Sequence, residues 1–231
     1  AVRAVPVAVS GASGNAGWRV VDAALQRGLG VRAIVRPNSV VPPPLAEAER
    51  QGRLQVFRLE LNTAEALHHA FNGCSALVIA TGARPSINLA GPLQVDAFGV
   101  RSQLKACAAV GLSRVVLVSS LCAGRWRHPL NLFGLILLWK RLGERWLEQS
   151  GLAWTVIRPG GLSEDDSRSG QEGVVFSGAD QQSSSSIPRR LVAQVCLDAL
   201  DEPEAFGRII EITSSAQQPR CSLGEWLAQP V

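Results

Sequence analysis

Two rhythms alternate along the chain: short, nearly continuous runs of Val, Ile and Leu, and longer stretches whose apolar residues recur at helical spacing. Val5, Val7 and Val9 open the first run, which ends at Ser10, and an amphipathic helix pattern follows from about Gly14 to Arg27. After the breakers Gly28 and Gly30, Val31 to Arg36 reads as a second strand. Pro37 and Pro42 to Pro44 then mark a loop before a short helix. LQVFRLEL is a third strand, TAEALHHAF a third helix and ALVIAT a fourth strand. Beyond the irregular TGARPSINLAGP, Leu93 to Val110 reads as a long helix, RVVLVSS as a fifth strand, NLFGLILLWKRLGERWLEQS as a fifth helix and AWTVIRP as a sixth strand. Pro188 to Leu200, RIIEIT and SLGEWL supply a helix, a final strand and a short closing helix.

Strands with this continuous apolar character are those covered on both faces of a parallel sheet. Joined by helices through right-handed crossovers, they predict an α/β protein with a Rossmann-like doubly wound parallel sheet flanked by helices. A chain of 231 residues suits a single unit spanning 1–231, with 163–186 and 213–231 forming a small C-terminal lobe on the substrate side.

Composition removes several function classes. Net charge is +4, yet only Lys105 and Lys140 are lysines and the arginines are scattered, so no basic stripe favours nucleic acid. Cys74, Cys107, Cys122, Cys196 and Cys221 form no C-x-x-C pair, and neither they nor His68, His69 and His128 have metal-ligand spacing. No metal is expected. Ala1 to Val9 is too short for a secretory signal, which points to the cytoplasm, or to the stroma in a plastid-bearing source. The longest apolar run, Leu130 to Trp139, falls short of the roughly 20 residues of a membrane span. It reads either as a buried helix start or as a surface patch for a protein or peripheral membrane partner.

The chemistry gathers at the ends of strands. After the first strand, Gly11, Gly14 and Gly17 follow one another at G-x-x-G-x-x-G spacing. Such a turn aims free backbone N–H groups and the positive end of a helix dipole at one point, which suits a phosphate. Other clusters also lie at carboxyl ends: Arg36, Glu60, Thr81 to Ala83, Ser119 and Ser120, and Arg158 to Gly161. In a doubly wound sheet that edge is where a ligand sits. An NAD-specific site would carry Asp or Glu after the second strand. Arg36 stands there instead, and a guanidinium suits the 2′-phosphate of NADPH; the alternative is an ordinary surface arginine.

One residue type is missing. Reductases on such sheets commonly use a tyrosine acid with a lysine one helical turn later and a serine after the fifth strand. Lys140 is present, Ser119 and Ser120 follow the fifth strand, but the position four before Lys140 is Ile136 and the chain contains no tyrosine. Hydride transfer needs only the cofactor and a placed acceptor, so redox chemistry survives the loss of that acid. Lys140 suits the nicotinamide ribose; the alternative is a lysine on the solvent side of an apolar helix.

GASGNAG, VRAIVRP, ATGARPS, VVLVSS, FGLILLWKRLGERWLEQSGLAWTVIRPGGL and IPRRLVAQVCLDAL together resemble an atypical, NmrA-like short-chain dehydrogenase/reductase over roughly Val5 to Ile212. Within that superfamily the chain is most similar to the NADPH-binding module of the chloroplast import translocon's redox subunit and its cyanobacterial and plastid relatives. The resemblance implies that Gly11, Ser13, Gly14, Asn15, Ala16 and Gly17 wrap the pyrophosphate and that Arg36 takes the 2′-phosphate. Glu60 and Leu61 would flank the adenine, Ala80, Thr81 and Gly82 the ribose, Lys140 the nicotinamide ribose, and Pro159, Gly160, Gly161 and Leu162 the nicotinamide face. Relatives often carry Lys or Arg then Thr where this chain has Asn15 and Ala16, which weakens the phosphate grip by about 1 kcal/mol.

These residues imply an NADPH-dependent oxidoreductase without the tyrosine acid, acting on a quinone-like, flavin-like or similar self-protonating acceptor. The alternative is a non-catalytic NADPH-binding module that reports redox state to a protein or membrane partner. The polar stretch after Gly161 reads as a mobile flap over the nicotinamide or as a solvated loop around a short GVVFSG hairpin. Glu164, Asp165 and Asp166 read as a solvated acidic turn.

Overall fold

The structure is a computed structural model and describes residues 5–82, 91, 93–123, 127, 129 and 135–230. Its centre is an eight-stranded sheet: β1 (Val7–Ser10), β2 (Val31–Val35), β3 (Leu54–Arg58), β4 (Ala76–Ile79), β5 (Arg114–Val118), β6 (Ala153–Pro159), β8 (Gly173–Ser177) and β10 (Arg208–Ser215). The strand order is β3-β2-β1-β4-β5-β6-β10-β8. All neighbours run parallel except β8, which pairs antiparallel with β10. The order reverses between β1 and β4, which opens a crevice at their carboxyl ends.

Helices α1 (Asn15–Gln26), α2 (Pro43–Arg50), α3 (Ala64–Phe71), α4 (Val100–Val110), α5 (Ile136–Glu148), α6 (Arg189–Leu200) and α7 (Leu223–Leu227) cover the sheet. One apolar layer joins Val7, Val9, Val21 and Ala24 to Val192 and Ile210, and a second joins Ala8, Ile34, Phe71 and Leu77 to Leu104 and Leu147. Alternate residues of β1 thus serve opposite faces, as burial on both sides of a parallel sheet requires.

Three local departures from the sequence reading bear on function. The long helix expected over Leu93 to Val110 begins as a π-helical stretch, Leu93–Gly99, before α4. Such windings place one residue out of step with its neighbours. GVVFSG is not a self-contained hairpin: β8 closes the main sheet against β10, while β7 (Gly161–Ser163) and β9 (Ser186–Pro188) form a separate parallel pair. Of the apolar run from Leu130 to Trp139, residues 130–134 lie outside the described region; Ile136 and Leu137 are buried, while Leu135 and Leu138 are 36% and 40% exposed. Ala83 of the fourth-strand cluster also lies outside it. Among the described residues, no helix is long and apolar enough to cross a membrane.

Candidate functional site

The glycine turn, Arg36, Glu60, Thr81 and Gly82, Ser119 and Ser120, and Arg158 to Gly161 all follow or end strands at the carboxyl edge of the sheet. Gly11 has φ +68°, and a Cβ there would lie 2.5 Å from the Ala80 carbonyl oxygen, so turn and β4 end pack backbone to backbone. A Cβ at Gly17 would collide with the Gly11 carbonyl, which shows how closely α1 approaches the turn. Gly14 occupies the N-cap of α1, where it supplies no side-chain cap, and the first turn holds no acidic residue. The first-turn N–H groups therefore face the crevice without a side-chain acceptor from the cap. Ser13, Asn15 and Ala16 complete the cradle.

Across the switch point, Ala80, Thr81 and Gly82 follow β4, and Ser119 and Ser120 follow β5. Three hydroxyls along this edge, those of Ser10, Thr81 and Ser119, are buried without a hydrogen-bond partner. Buried hydroxyls left unpaired are uncommon and call for an explanation. Arg36 follows β2, exposed, and its guanidinium makes no ion pair with a described residue. Glu60 and Leu61 follow β3, with Leu61 half-buried beside Gly99. Pro159 ends β6, Gly160 donates to the Ile212 carbonyl at 2.9 Å, and Gly161 and Leu162 begin β7, the latter exposed.

Lys140 projects from α5 to this edge. Its Nζ lies 3.0 Å from Asp96 Oδ1, and 3.7 Å from where a Cβ on Gly82 would stand. Asp96, inside the π-helical stretch, is buried. Sequence reasoning missed it, although a lone acid in the apolar run LQVDAFG is a signal of a buried partner. Gly143 makes the approach possible, because a Cβ there would lie 2.5 Å from the Asp96 carbonyl oxygen.

Glu144 and Arg158, both within the stretch FGLILLWKRLGERWLEQSGLAWTVIRPGGL, are joined in a way that the sequence did not disclose. Arg158 Nε and Nη2 donate to Glu144 Oε1 and Oε2 at 2.9 and 2.8 Å. Asp180 and Glu211 add carboxylates at 3.0 and 3.4 Å. Burial alone would lower the Arg158 guanidinium's pKa, but bonding to Glu144 and the charges of Glu144, Asp180 and Glu211 raise it above the ordinary arginine value.

The acidic turn is not merely solvated. Arg19 Nε donates to both Asp166 oxygens at 2.9 and 3.0 Å, and Asn15 Nδ2 donates to Glu164 Oε1 at 2.6 Å. Arg190 bridges Asp22 and Asp166. The segment from Glu164 to Asp166 is thus clasped to the first turns of α1. Two cavities lie away from this edge: one of about 430 Å³ between β8, α6 and α7, and one of about 240 Å³ at the amino ends of the strands. Neither touches the glycine turn or Lys140, and the open crevice has the stronger chemical case because unpaired hydroxyls, free helix N–H groups and a lysine converge there.

Residues 11–203 match the model of a family described as NAD(P)H-binding. The chain belongs to that family. Its sequence is 34% identical to an uncharacterized chloroplastic protein of Arabidopsis thaliana, over 99% of this chain and 83% of that protein. It is 26% identical to Protein TIC 62 of Pisum sativum over 92% of this chain, spanning 43% of that longer protein. Sanguinarine reductase of Eschscholzia californica is 27% identical over 91% of this chain and 89% of its own length. Among solved structures, an epimerase/dehydratase-like protein of Bacillus halodurans superposes with a TM-score of 0.81 at 24% identity, covering 96% of this chain and 98% of that one. A short-chain dehydrogenase/reductase of Veillonella parvula in complex with NADP gives 0.71 at 18% identity, covering 90% and 93%. The chain is therefore a member of an NAD(P)-binding family with a reductase relative and a relationship to TIC 62, and its Rossmann-like cradle fits a nicotinamide dinucleotide.

Proposed function

We propose that the chain is an NADPH-dependent oxidoreductase that works without a tyrosine acid and reduces a quinone-like, flavin-like or similar self-protonating acceptor. The observation that carries the reading is Lys140, a cation held at the carboxyl edge by buried Asp96, beside Gly82 and on a chain with no tyrosine. When bound, the dinucleotide supplies hydride from its nicotinamide. The glycine turn from Gly11 to Gly17 seats its pyrophosphate, Arg36 takes the 2′-phosphate, and Glu60 with Leu61 borders the adenine. Ala80, Thr81 and Gly82 line the ribose, Lys140 bonds the nicotinamide ribose, and Pro159 to Leu162 border the nicotinamide. Ser119 and Ser120 face the acceptor. An acceptor that receives the hydride and takes the one proton it needs from water balances the reaction without a protein acid.

The unit runs over 1–231, with 163–186 and 213–231 as the substrate-side lobe, and works in the cytoplasm or a plastid stroma. Sanguinarine reductase, as a named reductase relative, supports the enzyme reading. The exposed Leu135 and Leu138 support a second one, a redox-sensing or assembly module that docks a protein or membrane partner beside Lys140. Stopped-flow mixing of the NADPH-loaded protein with a panel of flavins and quinones decides between them. Acceptor-dependent loss of NADPH absorbance is expected; none across the panel overturns the enzyme reading.

A further inference from the structure

Arg36 has a neighbour that the glycine turn and the strand-end clusters do not include. Arg58 ends β3, opposite Val35 in the parallel register, so its Cα stands beside the residue that precedes Arg36. Its Nη1 donates to the Ser39 carbonyl at 3.2 Å, and the Ser39 N–H donates to the Arg36 carbonyl at 3.1 Å. The turn that carries Arg36 is thereby tied to Arg58. Both arginines are exposed, and neither forms an ion pair with a described residue. Glu60 is the only acid in 36–42 and 58–63, and it pairs with neither. Two guanidinium groups on adjacent strand ends, with no carboxylate between them, form a local positive site suited to a dianion. The Ser39 bond engages one N–H of Arg58 and leaves the rest of its fork to a phosphate.

We propose that Arg58 is a second specificity-determining residue, a cation that shares the adenosine 2′-phosphate with Arg36. The inference rests on the NADPH reading above and deepens it. The experiment is a set of equilibrium titrations of NADPH and NADH against the wild-type protein, Arg36→Ala, Arg58→Ala, Arg58→Lys and the Arg36/Arg58 double alanine variant, at low and high salt.

Arg58→Ala is expected to weaken NADPH about ten-fold while leaving NADH within about two-fold, the size of a lost charge-assisted contact. Arg58→Lys should recover part of that loss, and the double variant should bind NADPH more weakly than Arg36→Ala, with a flatter salt dependence. Equal losses for both dinucleotides, or a double variant no weaker than Arg36→Ala, overturn the role of Arg58. If Arg36→Ala itself leaves the NADPH-to-NADH ratio unchanged, the 2′-phosphate reading fails instead. Unchanged melting temperatures show that the exposed side chains, and not the fold, are being tested.

Discussion

Arg158 and Glu144 meet in a two-pronged ion pair from which water is excluded: their side chains are 1% and 0% exposed. The pair joins the end of β6 to α5, one helical turn after Lys140. Removing Glu144 takes away the two-pronged partner and leaves Arg158 the remaining contacts to Asp180 and Glu211, so the cost falls toward the lower end of the about 3–5 kcal/mol of a broken buried pair. Glu144→Gln is therefore expected to lower the urea midpoint sharply. A Glu144→Gln/Arg158→Met double variant should recover little of that loss, because it takes the Arg158 charge from buried Glu211 and leaves that carboxylate the Gln181 and Gln182 N–H groups. A midpoint within experimental error of wild type for Glu144→Gln would show that the pair does not hold α5 in place.

Gly17 and Gly28 separate space from backbone conformation. Gly28 has φ +76° with nothing within reach of a Cβ, so Gly28→Ala is expected to cost about 1 kcal/mol of strain alone. Gly17 is an ordinary helical residue whose Cβ would strike the Gly11 carbonyl. Gly17→Ala should displace α1 from the turn, costing about 1–3 kcal/mol and abolishing dinucleotide binding. Thermal melts with a cofactor titration check both. Binding retained by a stable Gly17→Ala protein would remove the close approach from the account of the site.

The alternation of apolar runs and helical spacing made the doubly wound sheet legible, because strands covered on both faces must be apolar throughout. The positions of the glycine turn and Arg36 were legible for a related reason: a strand end followed by a breaker fixes where a side chain emerges, whereas Lys140 lies within α5. What stayed hidden depends on partners far apart in sequence. Asp96 meets Lys140 only because the π-helical stretch and Gly143 bring two helices together, and Asp166 meets Arg19 across 147 positions. Arg58 falls inside the strand expected over LQVFRLEL, whereas β3 ends at it. Its tie to Ser39 exists only because β2 and β3 are neighbours.

Lys140 offers a sharper test of the crevice than the serines do. A charged hydrogen bond to the ribose is worth about 1.5–3 kcal/mol, so Lys140→Met should weaken the dinucleotide by roughly ten- to a hundred-fold. It also removes one charged partner of buried Asp96, so Lys140→Met should melt lower, and Lys140→Arg less so. Fluorescence titration of bound NADPH measures the first effect and calorimetry the second. Undiminished affinity in Lys140→Met would leave the lysine with a purely structural task.

Two thiols give the fold a pH signature. Burial pushes Cys107 and Cys196 up from 9.0 to about 12, helped by Cys74 at the first and Asp198 at the second. A raised acid stays protonated in the folded chain while its unfolded counterpart ionises, so the stability it contributes is fully present below pH about 9 and is lost as pH rises towards 12. Unfolding free energy is expected to decline across that window, and Cys107→Ala and Cys196→Ala should each flatten the decline. Thiol labelling at pH about 8 should leave both residues unmodified until the chain unfolds. Rapid modification of either in the folded protein would contradict their burial.

Glu164 makes the least obvious contribution, because its carboxylate stands beside the cradle meant for a pyrophosphate. Asn15 Nδ2, at the first residue of α1, holds it at 2.6 Å, while the carboxylate remains 66% exposed. A negative charge there opposes an incoming anion, and the opposition is screened by salt. Glu164→Gln keeps an acceptor for Asn15 while removing the charge and releasing Arg189 from its 3.6 Å ion pair, so it is expected to tighten dinucleotide binding about two- to five-fold at low ionic strength. The gain should vanish near 1 M salt, where the Debye length shrinks to about 3 Å. Asp166 is bound more firmly, through both its oxygens, to Arg19. Asp166→Asn should therefore act differently: it loosens the lobe from α1 without relieving the charge at the cradle. Matched titrations of the two variants across a salt series separate clasp from charge. A Glu164→Gln protein that binds no tighter than wild type at any salt would mean that the carboxylate swings clear before the dinucleotide enters.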